Sequence, residues 1–209
     1  MDVQFYGANC LVFANKEVRL VIDDNLAKLG AKPVTKAGDI ALFTNGHDNL
    51  PVTPKMVIDM PGEYETANIS IVGIPARSHL SEDENDKSAT IYKIVVGDVV
   101  YVALGHIYPE LSDDQLEAMG MVDVLFVPVG GHGYTLDAVG ALKLTRLVDP
   151  KLVIPTHYDD KALTYEVPQT SLEQALQEFA MEPKDKVEKL RIKSTELAEV
   201  TQLLVLQKS

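Results

Sequence analysis

The residues best suited to chemistry in this 209-residue chain are its five histidines, and each falls at or just beyond the end of a β-type run. His47 follows Phe43-Thr44-Asn45-Gly46, His79 follows Ile74-Pro75-Ala76-Arg77-Ser78, and His106 follows Leu104-Gly105. His132 follows Val129-Gly130-Gly131, and His157 follows Ile154-Pro155-Thr156. In layered α/β folds, strand ends on one sheet edge converge on a crevice whose loops carry chemistry on a rigid scaffold. Imidazoles that meet there are suited to hold zinc or a similar divalent ion, and an open position on that ion makes water nucleophilic near neutral pH. The plain alternative is that isolated histidines cap strands or sit on solvated loops, where polar residues go anyway. Five such placements together weigh toward the cluster.

The elements that must position them are β-rich at first. Short β-type runs occupy residues 3–6, 10–13, 18–22, 40–43, 56–58 and 69–74, with turn-forming segments at 36–39 and 48–54 and a hairpin tip at Asn15-Lys16. Residues 90–96 and 99–104 flank Gly97-Asp98, a dipeptide that favours the positive φ of a tight hairpin. The stretch 81–87 is acidic with no apolar anchor and reads as a solvated loop. Helices belong to the second half. Ser112-Asp113-Asp114-Gln115 and Ser171-Leu172-Glu173-Gln174 have capping-box spacing, and residues 136–148 place Leu136, Val139, Leu142 (or Ala141), Leu144 and Leu147 near one stripe. The near-continuous apolar runs at 122–129 and 151–154 fit strands buried on both faces. The tail, 187–205, fits either a closing strand or a helix end.

A hydrophobic content of 46% supports one substantial core, so residues 1–209 read as a single domain, with two β-rich halves as a structural repeat. The 31 acidic against 19 basic residues give a formal charge of −12, which repels phosphate backbones and anionic membranes; no run of Lys and Arg offsets it. A small-molecule ligand is therefore expected in place of nucleic acid or membrane, and a homo-oligomer is left open. The lone cysteine, Cys10, permits no intrachain disulfide and reads as a small buried residue. With no basic-then-apolar leader and no apolar run near the ~20 residues of a membrane span, a cytoplasmic location is expected.

Longer segments carry a family resemblance. Tyr6-Gly7-Ala8-Asn9-Cys10-Leu11, Ile22-Asp23, Pro61-Gly62-Glu63-Tyr64-Glu65, Glu110-Leu111-Ser112-Asp113-Asp114-Gln115-Leu116, Val127-Pro128-Val129-Gly130-Gly131 and Ile154-Pro155-Thr156-His157-Tyr158 resemble the metallo-β-lactamase superfamily. Within it, the resemblance is to the small-hydrolase branch of ascorbate-6-phosphate lactonase-like proteins and Zn-dependent hydrolases. It implies an α/β fold, a four-layer α/β/β/α sandwich with a one- or two-metal site along one edge. The family's HxHxDH motif should follow Phe43, where this chain reads Thr44-Asn45-Gly46-His47-Asp48-Asn49, one residue short. Asn45 stands where the first His belongs, His47 matches the second, and Asn49 replaces the last.

The resemblance further implies that His79 and His157 are ligands and that His106 occupies the place of the metal-bridging aspartate. A neutral imidazole has one available lone pair and cannot bridge two cations as a carboxylate does. One divalent ion held by His47, His79, His106 and His157 is therefore expected, zinc first, with nickel or copper also suited to nitrogen-rich ligation. Asp48 resembles the aspartate that orients or deprotonates the attacking water, with an Asx turn as the alternative. The His132 loop overlooks the site in the family; Tyr134 and Tyr158 offer phenol donors to a substrate, with core packing as the other role. Glu63 and Glu65 point to one face of a strand and read as structural. Two functions follow: a metal-dependent hydrolase for a small ester, lactone or phosphorylated metabolite, or a catalytically inactive descendant serving as a metal-binding, ligand-binding or interaction module.

Overall fold

A computed structural model describes residues 1–47 and 50–209. Its first sheet has the order β1 (Asp2–Phe5), β2 (Leu11–Ala14), β3 (Arg19–Ile22), β4 (Ile40–Leu42) and β5 (Met56–Ile58). The pairs β1–β2 and β2–β3 are antiparallel, and β3–β4 and β4–β5 are parallel. The second sheet holds β6 (Gly62–Thr66), β7 (Ile69–Ala76), β8 (Ala89–Val96), β9 (Val99–Ala103), β10 (Val124–Pro128), β11 (Leu152–Thr156), β12 (Pro183–Val187) and β13 (Gln202–Leu206), in the order β12-β13-β11-β10-β9-β8-β7-β6. The Gly97-Asp98 turn joins β8 to β9 with Val96 opposite Val99. The tail resolves as a strand: β13 lies in parallel between β11 and β12.

The two sheets face each other because their strands alternate. Phe5, Leu11, Phe13, Leu20, Ile22 and Leu42 from the first meet Ile71, Tyr92, Tyr101, Phe126 and Ile154 from the second. Phe13 stands edge-on to Tyr101 and Phe126, with ring centroids 5.3 and 5.8 Å away, a geometry that aligns the positive ring edge with the negative face. Tyr92 is fully buried, and its hydroxyl reaches across to the carbonyl oxygens of Phe43 at 3.1 Å and Ile58 at 2.9 Å. The other face of the second sheet is covered by α2 (Ala138–Val148) and α3 (Leu172–Phe179), through Ala141, Leu144, Ala175 and Phe179 against Val102, Leu125 and Val153. The α1 helix (Asp113–Met119) packs against β7.

On the outside of the first sheet the covering layer is made of turns. Leu26, Leu29 and Leu163 close over Cys10, Val12 and Val21. Residues 24–36 carry Gly30 at φ +77° and Pro33, which stop a helix there. The Asp24 carboxylate instead takes the amide protons of Val34 and Thr35. Among the described residues no helix is long and apolar enough to cross a membrane.

Helix starts follow the chain's polar signals. Ser112 and Gln115 form a reciprocal capping box on α1, Ser171 accepts from the Gln174 amide on α3, and Asp137 caps α2 through the Gly140 amide. Replacing Ser112 with alanine strands an amide donor and is expected to cost about 1 kcal/mol, measured as a lower urea midpoint.

The parallel arrangement places the chemistry. Strands β7, β9, β10 and β11 run in the same direction, so the segments leaving their C-terminal ends emerge on one edge of the second sheet. Four of the five histidines lie on those segments.

Candidate active site

A cavity of about 370 Å³ opens along that edge. His79, His106 and His157 line one part of it; Asn25, Lys28, Asn45 and His47, from the first sheet's loops, line another. Tyr134 completes the wall, its ring edge-on to His106 at 5.3 Å and tilted against His157 at 5.8 Å. His106 and His157 are themselves in edge contact, with ring centroids 4.8 Å apart.

Each of the three second-sheet imidazoles has its Nδ1 against a carbonyl oxygen. For His79 it is the Ile107 carbonyl at 3.2 Å, for His106 that of Tyr134 at 3.4 Å, and for His157 the Gln169 side-chain carbonyl at 3.1 Å. A carbonyl oxygen only accepts, so these contacts favour the tautomer with the proton on Nδ1, which leaves the Nε2 lone pair as the acceptor. All three are held neutral. Burial lowers the His79 pKa, and burial followed by the neighbouring His157 lowers that of His106 to about 3. Burial takes His157 down to about 4. Its backbone is held in the left-handed region, φ +53°, with the amide on the Ala8 carbonyl at 2.7 Å. A non-glycine residue costs free energy in that region, and such residues gather where the surrounding structure fixes a side chain for use.

Neutral imidazoles with Nδ1–H engaged by carbonyl oxygens are the donor state that divalent transition metals take, the outer hydrogen bond fixing tautomer and ring direction. The chemistry of the set therefore fits such an ion. Among the described residues no three His, Cys, Asp or Glu groups already enclose one point, so the imidazoles form an open wall. His47 lines the same cavity, but its ring stacks on Phe43 at 4.3 Å and its Nε2 lies 3.4 Å from the Asp59 carboxylate.

The remaining predicted residues divide. Asn45 is in the wall and donates to the Ser78 hydroxyl at 3.0 Å. Asp48 and Asn49 lie outside the described residues. His132 is exposed on a turn between Gly131 and Gly133, with φ of +55°, and does not line the cavity. Tyr158 packs into the core against Phe5, 5.6 Å between centroids, away from the cavity wall. Tyr134 stays a hydroxyl donor at neutral pH, because burial and the Glu166 carboxylate push its pKa up while Lys28 pulls the other way.

One residue beside the site, Gln169, carried no signal in the sequence. Gln169 is twelve positions from His157 along the chain. Asp23, recognised as a strand-end aspartate, is buried with its carboxylate on the Thr44 amide at 2.7 Å and hydroxyl at 2.6 Å. Burial raises its pKa to about 6 against those two bonds. The pair ties the end of β3 to the segment that carries Asn45 and His47.

The beta-lactamase superfamily domain description matches residues 2–157. A UPF0173 metal-dependent hydrolase of Salinibacter ruber is 37% identical over 193 residues, covering 76% of this chain and 85% of the relative. One of Archaeoglobus fulgidus is 26% identical over 152 residues, 69% of this chain and 63% of the relative, so the match spans less than two thirds of that protein. Among solved structures, a Thermotoga maritima protein of the metallo-beta-lactamase superfamily superposes with a TM-score of 0.74 at 20% identity, covering 99% of this chain and 98% of that one. The metallo hydrolase Igni18 of Ignicoccus hospitalis superposes with a TM-score of 0.64 at 17% identity, covering 99% and 94%. With three quarters of its length matched by the family description and its two-sheet architecture shared with these structures, the chain belongs to the beta-lactamase superfamily and has the metallo-β-lactamase fold.

Proposed function

We propose that the protein is a metal-dependent hydrolase of a small ester, lactone or phosphorylated metabolite, with one divalent ion, zinc first, held by His79, His106 and His157, and with His47 of the same cavity wall as the fourth ligand. The observation that carries this reading is the common state of three imidazoles, each with Nδ1–H on a carbonyl oxygen and Nε2 kept as a lone pair beside one cavity. The names of the relatives, metal-dependent hydrolases, support the reaction class. A bound divalent ion supplies Lewis acidity and a water of lowered pKa.

The chain's own groups do the rest. Burial of His106 and His157 keeps protons off the donors at neutral pH. Lys28, Asn25 and Asn45 give the cavity N–H donors suited to carbonyl, carboxylate or phosphoryl oxygens, and the Tyr134 hydroxyl adds another. Asp48 is assigned proton transfer on the family motif. The inactive alternative is favoured by one observation, the His47 ring turned onto Phe43 and Asp59.

The test is metal content after incubation with zinc, nickel or copper, followed by an esterase, lactonase and phosphodiesterase panel. Wild type is expected to retain about one ion per chain, and His106→Ala and His157→Ala to lose it together with hydrolysis. A protein that takes up none of the three ions ends the metal reading. Tight binding with a silent panel transfers the protein to the inactive alternative.

A further inference from the structure

Of the three imidazoles, two are oriented by backbone carbonyls, which no substitution removes. His157 alone is oriented by a side chain. We propose that Gln169 is a positioning residue of the cavity: its side-chain carbonyl takes the Nδ1 proton of His157 and so commits the Nε2 lone pair to the cavity side. The inference rests on the reading of His157 as a donor to the site.

Several observations make this a built arrangement. Gln169 is buried, and its Nε2 donates to the Val167 carbonyl at 3.0 Å. That bond settles which end of the amide faces His157, since the nitrogen is already directed elsewhere and the oxygen is left to accept. The backbone of the next residue is pinned through both its amide and its carbonyl. The Thr170 amide donates to the Gly130 carbonyl at 2.8 Å, and the Thr170 carbonyl takes the Asp159 amide at 2.9 Å. The segment after β11 is thus folded back over its own strand end and over the loop that follows β10.

Gly130 shows what the approach requires. A Cβ there would stand 2.0 Å from the Gln169 Oε1 and 2.2 Å from the His157 carbonyl oxygen. Any larger residue at 130 displaces the acceptor or the backbone of the residue it orients. Its role is close approach, because its φ lies outside the positive range that would itself select glycine.

The consequence is tautomeric. A buried imidazole with no acceptor at Nδ1 gains by moving its proton to Nε2 or turning the ring, because an unsatisfied buried N–H is costly. Either change removes the lone pair from the cavity. Hydrogen-bond partners of this kind typically change metal affinity by about 10–100-fold.

The experiment reads the tautomer directly. Long-range proton–nitrogen NMR correlations on uniformly labelled, metal-free protein at neutral pH distinguish Nδ1–H from Nε2–H rings, with His157→Gln used for assignment. Wild type is expected to show Nδ1–H at His79, His106 and His157. Gln169→Leu is expected to move only His157 out of that state and to weaken zinc binding by about tenfold or more. Gln169→Glu, which keeps an acceptor in place, is expected to restore both. An Nε2–H ring at His157 in wild type overturns the proposal without any variant being made, as does an unchanged His157 signal in folded Gln169→Leu. If the tautomer switches as expected but wild type binds no zinc, the positioning role stands and the metal reading falls.

Discussion

Gly105→Ala is expected to destabilise the protein by about 3 kcal/mol and to disturb the cavity on its first-sheet side. A Cβ at 105 would lie 2.1 Å from the Thr44 Oγ1 and 2.3 Å from the Thr44 Cβ, contacts that side-chain rotation alone cannot relieve. Overpacking of this kind costs about 1–3 kcal/mol, and the left-handed backbone at φ +61° adds about 1–2 for a residue with a side chain. Thr44 is poorly placed to yield. Its amide and hydroxyl hold the Asp23 carboxylate, and its carbonyl accepts from the Thr90 amide at 2.7 Å. Moving it shifts Asn45, which bridges to Ala89, and the His47 segment beyond. Urea titration gives the cost. Adding Thr44→Gly, which removes the colliding Cβ, is expected to make the double variant less damaged than the sum of the single variants, the sign of a direct clash. Additive losses would place the damage in the backbone at 105 alone.

The same contact explains which parts of this molecule could be read from its sequence. Strand-end histidines were visible because apolar runs such as 151–154 stop at identifiable residues, and the parallel strand order then carries His79, His106 and His157 to one edge. Ser112, Ser171 and Gly97-Asp98 encode their caps and turn within four residues, so they were legible too. What stayed hidden depends on pairs distant in sequence. Gly105 looks like any turn glycine until Thr44 is beside it, and Gln169 looks like a loop amide until Val167 and His157 fix its two ends. His47 has the right place in the motif, yet its ring direction is set by Phe43 and by Asp59, twelve residues on. β6 gave no apolar run, and only the alternation of Glu63 and Glu65 marked it as a strand: as an edge strand it carries those two exposed carboxylates and has few apolar residues to show a period.

Acid is expected to destabilise the metal-free protein well before its carboxylates as a class are titrated. His106 and His157 have folded pKa values lowered to about 3 and about 4, by burial first and for His106 by His157 next. Unfolded histidine titrates near 6.5, so below that value the unfolded chain takes up protons that the folded one refuses. Stability from these rings is therefore fully present above about pH 6.5 and is lost as the pH falls toward about 4. Between about pH 7 and pH 5 the two together forfeit about 3 kcal/mol, with the His106 share reduced because its ring opens on the cavity. His79, lowered by burial, acts in the same direction. Asp23 opposes them. Its folded pKa is raised to about 6, so the folded state binds a proton first and gains about 1 kcal/mol over the same interval. The imidazoles prevail, and a net loss of about 2 kcal/mol is expected in urea midpoints measured with chelator present. His157→Gln is expected to flatten the dependence and Asp23→Asn to steepen it. A wild-type midpoint that holds steady or rises from pH 7 to pH 5 would mean that the rings are not buried neutral donors, and would remove the basis on which the cavity was assigned its chemistry.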